Sequence, residues 1–339
     1  IWSRLVGSEM CIRDRFRHAF SMGGGVTITY SQGTLSTSDS PYSEGHRHYI
    51  REALSGSTSD ASSYYIQMAE TRLEAQDIAQ SGWNYTDPNS KLTLSFWARA
   101  SVAMTYGFVL QSADGTAKLY PKSFALSANT WTKIKHTIPG HADLQFDNDA
   151  NIGFTMKIYP YLGSGYCGGT DGAWGDQSAA KYGSDNTAVT WLNGANTFDV
   201  TGMQLEVGSQ VTAFEHRSFG EELALCQRYC QVLGGNATQE LFMLATGNGT
   251  GTATGFYQAP VDFRTAPSFS ISNLSHVNVY NFSNANNLGS PSGMSLITAM
   301  TAKHWVYIDT TVSTTTAGGG IMIRANSTTD ARFILSADL

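Results

Sequence analysis

The sequence predicts an all-β protein: a jelly-roll or β-sandwich domain, a linking helix and a second, smaller antiparallel β domain. Three observations predict it. Apolar residues make up 41% of the chain and charged residues only 14%, enough apolar side chain to build a core. The 34 glycines fall largely between apolar runs together with Ser, Thr and Asn, as turn residues do. The apolar runs are short and many alternate at period two, the signature of strands with one core face and one wet face. A length of 339 residues allows two domains, or one large β domain with an appendage.

The elements follow in order. Val26–Tyr30 and Ser63–Met68 are short β-type runs. Lys91–Arg99 is clearer: Leu92, Leu94, Phe96 and Ala98 share one face, and Thr93, Ser95, Trp97 and Arg99 the other. Tyr106–Gln111 and Lys118–Phe124 flank Ala113-Asp114-Gly115, a hairpin turn. Trp131–Ile138 alternates again, and Ile152–Tyr159 places Ile152, Phe154, Met156 and Ile158 on one face. In Phe198–Val207 the pattern slips at Gly202, where a bulge restores Met203, Leu205 and Val207 to a common face. Leu162–Gly194 is a long Gly-rich insert carrying Tyr166, Trp174, Tyr182 and Trp191; long loops in compact domains are often functional. Its aromatics either stack on a sugar face or pack the loop onto its own sheet.

One helix is predicted, from about Phe219 to Leu233. Ser218 and Glu221 form a capping-box pair, Leu223, Cys226, Cys230 and Leu233 share a face, and Gly234-Gly235 supplies the stop. Beyond it, Leu241–Ala245, Phe256–Phe263 (broken by Pro260), Pro267–Ile271, His304–Asp309 and the two terminal runs read as strands. The expected division is 16–217 for the sandwich, 218–235 for the linking helix and 236–339 for the C-terminal domain.

Several function classes are excluded or unsupported. The formal net charge is −6, whereas a general nucleic-acid binder is basic, so no nucleic-acid partner is expected. No stretch approaches 18 continuous apolar residues, so no membrane insertion is expected. There is no Gly-x-Ser-x-Gly elbow, His-Glu-x-x-His motif or Walker-type loop. A glycosidase needs two opposed carboxylates; Glu70, Glu74, Asp77, Glu206 and Glu215 are present but sequence does not pair them. The expectation is a non-enzymatic protein with polar, uncharged surfaces. Cys226 and Cys230 read as two core residues of one helix rather than a disulfide, and the chain is not a disulfide scaffold. His46-Arg47-His48 is a small basic cluster, and Glu215-His216-Arg217 a charged one where the chain leaves the sheet. Asp147, Asp149 and Asn151 place oxygen ligands at alternate positions, as hard cations prefer, or form an Asx-rich turn.

Residues 203–229, from Met203-Gln204-Leu205-Glu206-Val207-Gly208 through Phe214-Glu215-His216-Arg217 to Cys226-Gln227-Arg228-Tyr229, resemble a junction found in bacteriophage tail-fibre and related virion proteins, especially of marine phages. Leu92–Arg99 and Asn129–Pro139 resemble strands of the jelly-roll domain, similar to a carbohydrate-binding module, that precedes it. Pro260–Pro267 and Ala331–Leu339 resemble parts of a phage C-terminal tip domain. The resemblance implies a virion structural or adhesive protein, a homotrimer and a host surface glycan as partner. It transfers no ligand site or catalytic residue. It also implies that Asp147, Asp149 and Asn151 hold a structural calcium, since such jelly rolls often carry one; no other cofactor is expected. The alternative is a secreted or cell-surface carbohydrate-binding module, with Trp83, Tyr85, Trp97, Trp174 and Trp191 as candidates for an exposed aromatic platform. Residues 1–15 resemble translated sequencing adaptor of environmental assemblies, which implies that they lie outside the folded protein.

Overall fold

The computed structural model describes residues 2–4, 17–59, 62–185, 189–282 and 286–338, with backbone alone for 2–4, 189 and 286. The chain forms two compact units, residues 1–218 and Phe219–Asp338. Most of the adaptor-like segment lies outside the described residues. Its Trp2–Arg4 form strand β1, antiparallel to Met203–Leu205.

The first unit is a β-sandwich. After β1 come β2 (Arg17–Ser21), β3 (Val26–Thr34), the one-turn helix α1 (Ser40–Ser43), β4 (His48–Gly56), β5 (Tyr65–Glu74) and α2 (Ala75–Ala79). Then follow β6 (Lys91–Ala100), β7 (Met104–Ser112), β8 (Lys118–Leu126), β9 (Thr132–Pro139), β10 (Ile152–Leu162), β11 (Gly175–Asp176) and β12 (Asn196–Val207). One six-stranded sheet runs β3-β4-β12-β6-β9 with β1 also on β12; the other runs β11-β8-β7-β10-β5-β2. Among the described residues the named strands of these sheets pair antiparallel, and their inner faces supply one shared core. Leu92, Leu94, Phe96 and Ala98 enter it from β6 as the alternation requires, against Tyr106, Phe108 and Leu110 of β7 and Phe154, Met156 and Ile158 of β10. Phe96 meets Phe108 and Phe124 edge to face, at 6.1 and 5.5 Å.

The slip at Gly202 is a bulge. The β12–β6 register shifts between Thr201 and Gln204, and Gly202 has φ +61°. Met203 and Leu205 return to the core, whereas Val207 is exposed at the strand end. The face of β6 expected to be wet is largely covered. Residues 35–47 lie over it, Thr93 and Ser95 are buried, and Leu35, Tyr49 and Trp131 form a second small cluster joined by Trp97 and Tyr42. Across three strands of that face Asp199 stands between Arg51 and Arg99. Its carboxylate accepts two bonds from Arg51, at 2.7 and 2.9 Å, and two from Arg99, at 2.8 and 3.0 Å. The Arg99 guanidinium lies 4.6 Å from the Trp131 ring centroid. A buried charge so bracketed is compensated.

The second unit is smaller. The helix is shorter than the side-chain spacing predicted: α3 spans Phe219–Gln227, and Cys230–Leu233 is strand β13. The reason is tertiary. β13 pairs with the terminal strand, Cys230 opposite Ser336 through Leu233 opposite Phe333, so its backbone bonds come from the partner strand instead of the preceding turn. Cys226 and Cys230 are both buried, one on the helix and one on the strand. The other strands are β14 (Leu241–Gly247), β15 (Thr252–Gln258), β16 (Ser268–Ile271), β17 (Val277–Asn281), β18 (Asn286–Gly289), β19 (Gly293–Leu296), β20 (Trp305–Thr311), β21 (Gly320–Ala325) and β22 (Phe333–Ser336). They make a three-stranded sheet, β13-β22-β16, and a seven-stranded one, β18-β17-β21-β14-β15-β20-β19, around Phe242, Phe263, Ile308, Ile321, Ile323 and Phe333. β15 ends before Pro260, which lacks the N–H a ladder needs. Among the described residues no helix is long and apolar enough to cross a membrane.

Glu52 sits on the core side of β4 between Ile50 and Leu54. It is fully buried and neither carboxyl oxygen has a hydrogen-bond partner. Burial raises its pKa well above 4.5, so the folded protein keeps it neutral. The unfolded chain ionises it near 4.5, so folding stability falls as pH rises above that value. Replacing Glu52 with Met is expected to flatten this slope and to stabilise the protein at pH 8 by about 1–3 kcal/mol. Thermal unfolding between pH 5 and 8 checks it; an unaltered slope in the variant contradicts the reading.

Candidate functional site

The Gly-rich insert closes one edge of the sandwich. It is not structureless: short 3-10 turns at Ser164–Tyr166, Ala179–Lys181 and Val189–Leu192 and strand β11 punctuate it. Its backbone bonds to itself, Gly168 N to Ala180 O at 2.7 Å and Gly169 N to Gly183 O at 2.9 Å. Glycine at 169 is required, because a Cβ there lies 2.7 Å from Pro121 Cγ and 2.8 Å from Lys181 O. Asp171 anchors the loop to β8. It accepts from the Ser123 amide at 2.7 Å, the Ser123 hydroxyl at 2.8 Å and the Ser184 hydroxyl at 2.9 Å, and from the Lys122 ammonium. Partial burial pushes its carboxyl up, but these donors outweigh it and hold the pKa well below the usual carboxylate range.

Trp174 is the centre of this edge. Its ring stacks on Phe154 with centroids 6.1 Å apart and an interplanar angle of 8°, and meets Tyr120 at 5.2 Å. Its indole N–H donates to Pro139 O at 2.7 Å, tying the loop to the end of β9. The Tyr120 hydroxyl and His136 Nε2 are 2.9 Å apart across the same edge. Burial lowers the His136 pKa, with Lys122 adding to the effect. Beside Trp174 is a cavity of about 80 Å³ lined by Pro121, the Gly168–Thr170 backbone, Asp176 and Lys181. Lys118 lies next to it and donates to Asp176 at 2.6 Å and Asp143 at 2.9 Å. These hydrogen bonds raise the Lys118 pKa and lower both carboxyls. The site therefore offers a half-buried indole, loop backbone groups and paired charges, and its perturbed carboxylates are pulled down rather than up.

The five aromatic candidates separate. Trp83, Tyr85 and Trp174 come together through Phe146 and Phe154: Trp83 is 5.9 Å from Phe154 and Tyr85 5.0 Å from Phe146. Trp83 is buried and donates to Ser90 O at 3.3 Å, so it supports the cluster from inside. Trp191 is fully buried in the core. Neither presents a ring face to solvent, because the core needed their area more than the surface did. Trp97 lies on the outer face of the other sheet, its N–H on Glu44 Oε2 at 3.0 Å, and belongs to the Asp199 neighbourhood. The expected exposed platform is thus not formed by these five: Trp83 and Trp191 are buried, and Trp174 lines the cavity. Lys118, Tyr120, His136, Asp171, Asp176 and Lys181 were missed, since only folding across the sandwich edge unites them.

Asp147, Asp149 and Asn151 form a turn. Asp149 accepts from the Asn151 amide at 2.9 Å and from its side chain at 2.5 Å, and Asp147 accepts from Gln145 at 3.3 Å. Nearby Asp114 is raised by its burial and by the charges of Asp147 and Asp149. Among the described residues no three His, Cys, Asp or Glu side chains are grouped to hold a metal ion. Asp149 is thus turned onto Asn151, as an Asx turn requires.

No family model matches the sequence, and no curated protein matches it. Solved structures do match. One is the enzymatically active domain of bacteriophage CBA120 tailspike protein 4, 9% identical, TM-score 0.30, over 57% of this chain and 19% of that one. Another is a family 11 carbohydrate-binding module from Clostridium thermocellum in complex with a β-1,3-1,4-mixed-linked tetrasaccharide, 15% identical, TM-score 0.28, over 60% and 91% of the chains. A third is a xylan-binding domain of carbohydrate-binding module family 22, 11% identical, TM-score 0.28, over 59% and 98%. Likenesses this distant carry no argument about function.

Asparagine at 171 is expected to loosen residues 163–185 while leaving the sandwich folded. The anchoring carboxylate stabilises above its ordinary value of 3.8 and is lost as pH falls through its lower folded value. Limited proteolysis reads the outcome: faster cleavage within 163–185 in Asp171→Asn, with a stability loss of about 0.5–1.5 kcal/mol, since water screens the half-exposed carboxylate.

Proposed function

We propose that this chain is a non-enzymatic glycan-binding protein that takes part of a saccharide at the Trp174 cavity. The observation that carries the reading is the loop itself, which sets a half-buried indole beside the Gly168–Thr170 stretch, a carboxylate and an ammonium. An apolar face with convergent donors and acceptors is what a hydroxyl-rich, uncharged ligand needs. A cavity of about 80 Å³ accommodates one ring substituent, so a longer glycan extends across the rim. The lowered carboxyls of Asp143, Asp171 and Asp176 favour binding over hydrolysis, which needs a raised one. Glycan-array screening followed by calorimetry tests it. Trp174→Ala is expected to weaken binding by about 2 kcal/mol, roughly thirtyfold, with an unaltered unfolding midpoint of the second unit. Equal binding by the variant contradicts this site.

The finer reading is a phage tail-fibre or virion component, a homotrimer that attaches to host surface glycans; the alternative is a secreted or cell-surface carbohydrate-binding module protein. The fibre reading draws support from the junction resemblance and from an apolar row on the outer face of the seven-stranded sheet. Tyr280 stands opposite Met322, and Met322 opposite Leu244. Leu244 precedes Ala245 and Phe256 follows Gly255, Ala245 and Gly255 being paired across β14 and β15, and Phe256 faces Tyr307. Leu244 is 54% exposed, Phe256 53% and Trp305 37%, a patch of the kind that interfaces cover. Light scattering separates the readings. A trimer that Leu244→Glu dissociates supports the fibre; a stable monomer supports the module.

A further inference from the structure

We infer that His46 is an acid-sensitive latch holding residues 208–217 against the sandwich. His46 is 1% exposed, and neither ring nitrogen has a hydrogen-bond partner. It lies on the covered outer face of the β12 sheet, where the Gly202 bulge makes room. A Cβ at Gly202 falls 2.5 Å from His46 Nε2. Its other neighbours come from the segment that follows β12. Phe214 meets the ring edge-on at 4.6 Å, and His216 lies 5.5 Å away. His216 Nε2 is 2.7 Å from Glu44 O, and Gly45 gives it space, since a Cβ there lies 2.6 Å from that nitrogen. Phe214 and His216 themselves pack at 4.9 Å.

The charged and titratable groups facing His46 are Lys133 from β9, Arg47 and Glu44 beside it in the chain, and His216 from the segment. Three of the four, His216, Lys133 and Arg47, disfavour a charge on His46. The fourth, Glu44, is already engaged by Lys133 at 2.7 Å and Trp97 at 3.0 Å. A proton on His46 therefore finds no acceptor and meets positive neighbours. Desolvation, and then His216, lower its pKa from 6.5 to about 4. The latch is intact above pH 6.5, weakens as pH falls toward 4, and gains no further weakening below that value. Opening exposes the imidazole to water, so the chain between β12 and α3 is what protonation frees.

Hydrogen exchange on the full chain at pH 7.5 and 4.5, corrected for intrinsic rates, tests the latch. Protection of residues 208–217 is expected to fall by up to roughly a hundredfold at the lower pH, the ratio set by the two proton affinities. Protection of β6 and β10 should persist. His46→Leu keeps the apolar contact with Phe214 and is expected to abolish the pH response. If that variant does not fold, proton NMR titration of wild-type His46 replaces it, and a pKa near 6.5 overturns the proposal. It is also overturned by equal protection at both pH values, by the same loss in His46→Leu, or by loss that follows His216→Asn instead.

Discussion

The contact between the apolar inner faces of the two six-stranded sheets is the constraint on which the rest of the first unit depends. Two such faces exclude water only if the sandwich edges are also closed. At the β8–β9 edge, closure is achieved with side chains that bridge the sheets: Trp174 onto Phe154 and Tyr120, and Tyr120 onto His136. The Gly-rich insert carries the first of these, and the cavity is a by-product of how it lies. A loop rich in small residues turns tightly over β8 and leaves space beside the Trp174 ring.

The outer faces obey the opposite rule. They carry polar groups, and where chain covers them those groups must be paired. Asp199 is satisfied from both sides by Arg51 and Arg99. Asp171 is satisfied by four donors. His46 breaks the rule on the same face, and Glu52 breaks it in the core. Both stay neutral because ionisation in those places has no compensation, and each ties the fold to pH in an opposite direction. Glu52 costs stability as pH rises; His46 costs it as pH falls.

The second unit solves the same problem with fewer residues. Its seven-stranded sheet buries one face on Ile308, Ile321 and Ile323 and leaves the other with Leu244 and Phe256 open. An alternating strand normally puts polar residues there, so this row departs from the pattern that the rest of the unit follows.

Much of this was legible from the amino-acid order. Period-two alternation located β6, β9 and β10 and their core faces, and the Ala113-Asp114-Gly115 turn placed β7 beside β8. The slip at Gly202 located the bulge, because a side-chain period of two makes one extra residue visible. The all-β class and the Gly-rich insert were legible for the same reason: they are local properties of composition and spacing. The helix was not. Leu223, Cys226, Cys230 and Leu233 satisfy helical spacing, yet Cys230–Leu233 joins β22 about a hundred residues away, and local spacing carries no information about that partner. Strands such as β4 and β17 carry charged or polar residues at buried positions, Glu52 and Asn278 among them, which masked their pattern. Which tryptophans face solvent, what Asp171 and His46 touch, and how a cavity forms beside Trp174 were decided by tertiary structure alone. Each depends on strands brought together across the sandwich, and burial belongs to that assembly, not to any residue's neighbours in the chain.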